Sequence, residues 1–145
     1  MIRIEKIVLE DKVKLLFQMD IQSFTRDFDY PARNTDDILS YLKNCEVYFI
    51  FDDNQLIGTF SYKIINDQVE VKQLIILPQY QNKGYGKQAM KKLLVLVKDK
   101  KVWLITHPKN SAAIVAYLKL GFTINEWRNN YYGDNQPRLL LNLCK

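Results

Sequence analysis

The chain has 145 residues, 48% of them hydrophobic, which suits one globular domain spanning 1–145 rather than a disordered protein. The formal net charge of +5 is a small bias toward anionic ligands, spread over scattered lysines and acids. No apolar run approaches the ~20 residues of a membrane span, and the charged start Met1-Ile2-Arg3-Ile4-Glu5-Lys6 lacks a signal-peptide core, so the expectation is a cytoplasmic protein with no membrane partner.

Ile2 and Ile4 alternate with Arg3 and Glu5 and predict a short first strand. A helix over 11–24 follows, with Val13, Leu16, Phe17 and Ile21 on one apolar stripe that Gln18 and Asp20 interrupt. Residues 25–34 read as a loop. Thr35 is then the expected N-cap of a helix over 36–43, with Asp36 and Asp37 in its first turn. Strands are predicted at 47–51 and 56–64, with turn residues Asp52-Asp53-Asn54 between them. Asn66-Asp67 marks the next turn, before a strand that begins at Val69 and stops at Pro78. A helix through Ala89, Met90, Leu93, Leu94 and Val97 leads to a strand over 101–106, which should lie parallel to its neighbour because a helix connects them. Residues 110–120 form a further helix stopped by Gly121, Phe122 starts another strand, 131–135 is a hairpin turn, and 138–143 is the last strand. Cys45 and Cys144 lie far apart and leave one disulfide open. With His107 as the only histidine, no metal site is expected.

The informative stretch joins the strand at Val69 to the helix after it. Its loop, Gln79-Tyr80-Gln81-Asn82-Lys83-Gly84-Tyr85-Gly86-Lys87, puts two glycines where a helix begins. Backbone N–H groups there have no partner within the helix, and positions without side chains let a phosphate come close. Gly84-Tyr85-Gly86-Lys87-Gln88-Ala89 fits a dinucleotide fingerprint, but the next strand ends in Ile105-Thr106 without the carboxylate that motif needs. A Walker A loop fails at Gln81 and Gln88. The remaining pattern is Gln-x-x-Gly-x-Gly, met by Gln81, Gly84 and Gly86, with Leu74-x-Ile76-x-Pro78 ahead of it.

On these motifs the chain resembles the GNAT superfamily of acetyl-CoA-dependent N-acetyltransferases. A second motif strengthens the resemblance: Asn110, Ala113 and Tyr117 on one helix, followed by Gly121-Phe122. The resemblance implies a mixed α/β fold, a mostly antiparallel twisted sheet flanked by helices. It implies acetyl-CoA as cosubstrate, with its pyrophosphate on the loop residues Gln81, Asn82, Lys83, Gly84, Tyr85, Gly86 and Lys87. The pantetheine arm would lie beside Leu74, Ile75 and Ile76 in the manner of an added strand, and Asn110 would contact it. Tyr117 would protonate the leaving sulfur, since a phenol near 10 can serve a thiolate whose thiol is near 8.5. Glu70 or an ordered water would take the proton of the amine; simple alternation puts Glu70 on the face of Leu74 and Ile76, and its other reading is a carboxylate paired with Lys72 or Lys63.

The Nα-acetyltransferase branch of that superfamily often has a glutamate where this chain has Ile105. It also has an aromatic hairpin similar to Asn130-Tyr131-Tyr132, although Gln136-Pro137-Arg138 stands where acids usually follow. The loop 25–34, with Asp27 and Asp29, would wall the acceptor site, and His107 reads as a loop residue before Pro108. The expected activity is acetyl transfer by direct attack of a primary amine, a small molecule or a peptide, on the thioester. The alternatives are a non-catalytic acyl-CoA-binding module of the same fold and a peptide or protein Nα-acetyltransferase. A nucleic-acid partner is not expected, because aromatic residues do not alternate with the lysines. The expected assembly is a monomer or a homodimer.

Overall fold

The computed structural model describes residues 1–143. The chain runs β1 (Ile2–Lys6), α1 (Leu9–Ser23), α2 (Thr35–Tyr41), β2 (Glu46–Asp52), β3 (Gln55–Ile65) and β4 (Gln68–Ile76). A 3₁₀ turn at Pro78–Tyr80 precedes α3 (Tyr85–Leu96), then β5 (Lys101–Thr106), α4 (Ser111–Lys119), β6 (Thr123–Asn129) and β7 (Pro137–Leu143). The strands form one seven-stranded sheet in the order β1-β2-β3-β4-β5-β7-β6. Tight turns carried by Asp53, Asn66 and Asp67, all at positive φ, make β2, β3 and β4 antiparallel neighbours. Only β4 and β5, joined through α3, run parallel, as the sequence led us to expect.

The two sheet faces bury different partners. On one face, Phe60, Val69 and Val71 pack with Met90 and Leu93 of α3 and with Val102, Phe122 and Leu141. On the other, Val47 and Phe49 pack with Leu16 and Met19 of α1 and with Ile38 and Leu42. Each such fully buried side chain contributes about 1.5–3 kcal/mol by leaving water.

Three expectations are corrected. The α1 stripe does not include Ile21, which is 39% exposed, and it does include Asp20, which is 3% exposed. The cap of α2 is Asn34 and not Thr35: Asn34 is extended and its side chain accepts from the Asp37 N–H at 2.9 Å, which starts the helix one residue early. Glu70 is not on the face of Leu74 and Ile76. Ser61 pairs with Gln73 and Tyr62 pairs with Val71, so Lys72 is an extra, bulged residue. The bulge reverses the alternation: Val71, Leu74 and Ile76 share one face, while Glu70, Gln73 and Ile75 face α1 and α2.

The bulge also marks where the sheet opens. The parallel ladder pairs Gln68–Val71 with Lys101–Leu104 and then stops. Beyond it β4 stays with β3, while Ile105 and Thr106 of β5 stay with β7. The end of β4 therefore has main-chain groups directed at a gap with no strand in it. Cys45 is half-buried, and the open question of its pairing falls on Cys144, outside the described residues.

Candidate active site

The N-terminus of α3 stands at the mouth of that gap. Gly84 caps the helix with φ +83, a left-handed conformation that glycine adopts without strain. The N–H groups of Tyr85, Gly86 and Lys87 have no intrahelical acceptor. A side chain at Gly86 would be compatible with the protein, since an added Cβ would meet only Ile76 Cγ1, at an ordinary 3.8 Å. Glycine inside a helix costs about 1 kcal/mol relative to alanine. Nothing in the surrounding packing asks for that cost, but a ligand approaching the backbone from outside would. Lys83 and Lys87 are exposed beside these donors, as suits an anion. Two loop residues have a holding role instead. The Gln81 side chain donates to the Ile76 carbonyl at 2.9 Å, and the Tyr85 hydroxyl donates to Asp52 at 2.5 Å. Asn82 takes a positive φ of 64° in the same loop.

Across the gap is α4. Its end explains why glycine and phenylalanine follow Tyr117. Gly121 is left-handed at φ +100, the Phe122 N–H donates to the Tyr117 carbonyl at 3.0 Å, and the two rings pack at 5.7 Å. This is the hydrogen bond and hydrophobic contact that close a helix at a glycine, and both bear on Tyr117. Burial pushes the Tyr117 phenol up to about 12. At the other end of α4, Asn110 holds the cap position without using its side chain as a cap. Its Oδ1 accepts from Arg26 at 3.2 Å and its Nδ2 donates to Thr106 at 3.5 Å, so Asn110 ties the 25–34 loop to α4.

A cavity of about 770 Å³ runs along α4, with Leu74 and Tyr117 on the gap side and the 25–34 loop and the β6–β7 hairpin opposite; the α3 N-terminus does not line it. Tyr132 lines it, stacked on Tyr30 at 5.7 Å and placed edge-on to Tyr41 at 6.5 Å. The aromatic hairpin residue that the sequence singled out thus does wall the pocket. Glu70 does not line it; its carboxylate is buried and lies 3.5 Å from Lys72, whose ammonium lies over the Tyr41 ring. Asp29 is gripped by Arg26 through both oxygens, at 2.9 and 3.0 Å, and Asp27 is exposed. His107 is buried and stacked on Phe28. Its Nδ1 accepts from the Lys109 N–H at 3.0 Å, which leaves the proton on Nε2, facing Gln136 Oε1 at 3.1 Å. Both ring nitrogens are used, and the ring joins loop, hairpin and α4 as a structural post.

Asp20 is the residue that sequence reasoning passed over. It is buried on α1, lines the cavity, and accepts from the Ala32 N–H at 2.8 Å and from Gln73 Nε2 at 3.2 Å. Burial pushes its carboxyl above the ordinary carboxylate range, and Asp29 and Asp37 add to this, while the two hydrogen bonds oppose it. The available signal was the break it makes in the apolar stripe of α1.

A mixed sheet that parts after its parallel pair, in front of a glycine-capped helix, is the GNAT-like architecture that the motifs led us to expect. The family model of the acetyltransferase (GNAT) family matches residues 14–122, and the chain belongs to that family. It is similar to a [ribosomal protein bS18]-alanine N-acetyltransferase of Haemophilus influenzae, 36% identical over 86 residues, 57% of this chain. That match spans 58% of the relative's own length. A spermidine N(1)-acetyltransferase of Thermoplasma acidophilum is 28% identical over 111 residues, 73% of this chain and 69% of that one. Among solved structures, a GNAT family acetyltransferase from Elizabethkingia anophelis with acetyl-CoA bound superposes with a TM-score of 0.80 at 21% identity, over 98% of this chain and 97% of the other.

Proposed function

We propose that the chain is an N-acetyltransferase that moves acetyl from acetyl-CoA to a primary amine by direct attack. The single observation that carries this reading is Gly86: a glycine that its own protein does not require, set among helix N-terminal donors and opening onto the unpaired end of β4. When bound, acetyl-CoA supplies an acyl group activated as a thioester. The first-turn N–H groups of α3, with Lys83 and Lys87, hold the diphosphate. The main-chain groups of Leu74 and the N–H of Ile76 point away from β3 and bind the pantetheine arm as they would a strand, while those of Ile75 are paired with Thr59 in β3. The Ile76 N–H polarises the acetyl oxygen, and the second amide hydrogen of Asn110, the one not donated to Thr106, reaches the arm. Tyr117 directs its hydroxyl at the sulfur.

With its phenol raised by burial, Tyr117 acts in this reading chiefly as a hydrogen-bond donor to the developing thiolate. Full transfer of its proton from about 12 to an ordinary thiolate near 8.5 would be uphill by about 5 kcal/mol. Glu70 lies outside the cavity lining and is held by Lys72, so as a base it would act through water.

The aromatic hairpin around Tyr132, and the resemblance to the bS18-alanine acetyltransferase, favour a peptide amino terminus as acceptor over a free polyamine. We place the protein in the cytoplasm; among the described residues no helix is long and apolar enough to cross a membrane. The test is release of free thiol from acetyl-CoA in the presence of an alanyl peptide and of small amines. Release that depends on the amine supports the enzyme. Saturable acetyl-CoA binding without release from any amine would leave an acyl-CoA-binding module instead.

A further inference from the structure

Every other formally charged side chain at the cavity wall has its counter-ion. Arg26 is paired with Asp29, Arg33 with Asp37, Lys72 with Glu70, and Arg138 with Asp134. Asp20 alone has none among the described residues; its oxygens take hydrogen bonds only from a backbone amide and a neutral side-chain amide. A buried carboxylate without a countercharge destabilises a fold unless something compensates. Here Asp20 is one of the residues lining an open cavity, so the compensating cation can come from outside. Its position is suited to the chemistry. Gln73, which holds Asp20 at 3.2 Å, directly precedes Leu74, where the acceptor must meet the thioester on the proposed function.

We propose that Asp20 binds the ammonium of the acceptor and takes its proton, and that the acceptor carries a single ammonium, as a peptide amino terminus or a simple monoamine does. This rests on the acetyl-transfer reading above and supplies the base that reading lacks in direct contact. Asp20 removes one proton from the ammonium. The freed nitrogen lone pair then bonds to the acetyl carbon while the carbon–sulfur bond breaks. The second proton on nitrogen passes to water, and the sulfur departs as a thiolate that accepts a hydrogen bond from the Tyr117 hydroxyl. Asp20 returns its proton to water. The substrate class follows from charge. A polyamine's second ammonium would find no free carboxylate and would lie near Arg33, Lys72 and Arg138, and the faces of Tyr41 and Tyr132 that could hold it are already taken by Lys72 and Arg138.

The experiment compares the native chain with Asp20→Asn and Glu70→Gln. The readouts are transfer to a lysine-free alanyl pentapeptide and to spermidine, calorimetric affinity for acetyl-CoA, and thermal melting. Asparagine keeps the shape and, with the Gln73 amide turned over, the hydrogen bond. Asp20→Asn should lose about 100-fold or more in kcat/KM for the peptide, within the range for a proton-transfer group. Its acetyl-CoA affinity should be unchanged, and it should melt at or above the native temperature at pH 7. Glu70→Gln should lose clearly less in kcat/KM for the peptide than Asp20→Asn, and a loss as large or larger would overturn the proposal. The native chain should favour the pentapeptide over spermidine by about tenfold or more, the worth of one unmatched charge. A preference for spermidine, peptide transfer by Asp20→Asn within threefold of native, or melting of Asp20→Asn several degrees below native would each overturn the proposal, the last because it makes the carboxylate structural. If the native chain acetylates no amine, the acetyl-transfer reading fails, and binding alone decides the Asp20 claim. Propylammonium chloride should then raise the native melting temperature above an equal sodium chloride control and leave Asp20→Asn unmoved. No rise in the native chain would overturn it.

Discussion

Tyr117 has two roles that substitution can separate. Its ring closes α4 against Phe122, and on the proposed function its hydroxyl serves the leaving sulfur. Tyr117→Phe keeps the ring and should change stability by less than about 1 kcal/mol, while single-turnover acetyl transfer falls about 10²-fold or more. Asp20 behaves in the opposite way toward stability. Its carboxyl titrates higher when buried in the folded chain than when unfolded, first through desolvation. The sign follows: the protonated form folds without penalty, and stability is lost as pH rises through the raised folded value. Melting scans should therefore show the Asp20→Asn advantage at neutral pH and its disappearance as pH falls below the ordinary aspartate range. An Asp20→Asn chain less stable than native at neutral pH would contradict this. The carboxylate was hard to read from sequence because nothing local sets a functional acid on α1 apart from one facing solvent; only the packing of Met19 and Asp20 inward, with Ile21 outward, decides it.

At the scale of elements, two helix ends do the positioning. At α3, Gly86→Ala should stabilise the fold by about 0.5–1 kcal/mol, because the new methyl meets no clash and the helix gains propensity, yet it should weaken acetyl-CoA binding. Opposite signs in melting and in calorimetry are the outcome to look for, and a fall in both would mean that the glycine serves the fold. At α4, Gly121→Ala places a Cβ on a left-handed residue, 3.3 Å from Leu143 Cδ1. It should cost about 1–2 kcal/mol and, by loosening the helix end that holds Tyr117, lower turnover more than cofactor affinity. The helices, both glycine positions and the tight turns were legible in the sequence, because each depends on chemistry within a few residues. The bulge at Lys72 was not. Alternation is a rule about an unbroken ladder, and the extra residue shows only when β3 and β4 are paired. The same limit moved the α2 cap from Thr35 to Asn34, since both residues have capping chemistry and only the backbone shows which is extended.

For the whole molecule, function depends on a sheet that fails to close. Local pattern gave the strands their number and order along the chain, and the glycine loop gave the family. The spatial order β5-β7-β6, which draws the end of β5 away from β4, depends on a hairpin late in the chain reaching back, and that is long-range information. On the proposed function the thioester lies between halves contributed by residues 68–96 and 101–143. The proposed acceptor site is lined by α1 and the loop after it, away from the glycine-loop and α4 motifs, so those motifs were readable while the acceptor was not. The most direct check of this architecture is calorimetric titration of the native chain with acetyl-CoA. The account expects saturable one-to-one binding in the micromolar range, of the order usual for enzyme substrates, weakened at least tenfold in Gly86→Ala. No heat of binding at millimolar acetyl-CoA, or equal affinity in both chains, would contradict it.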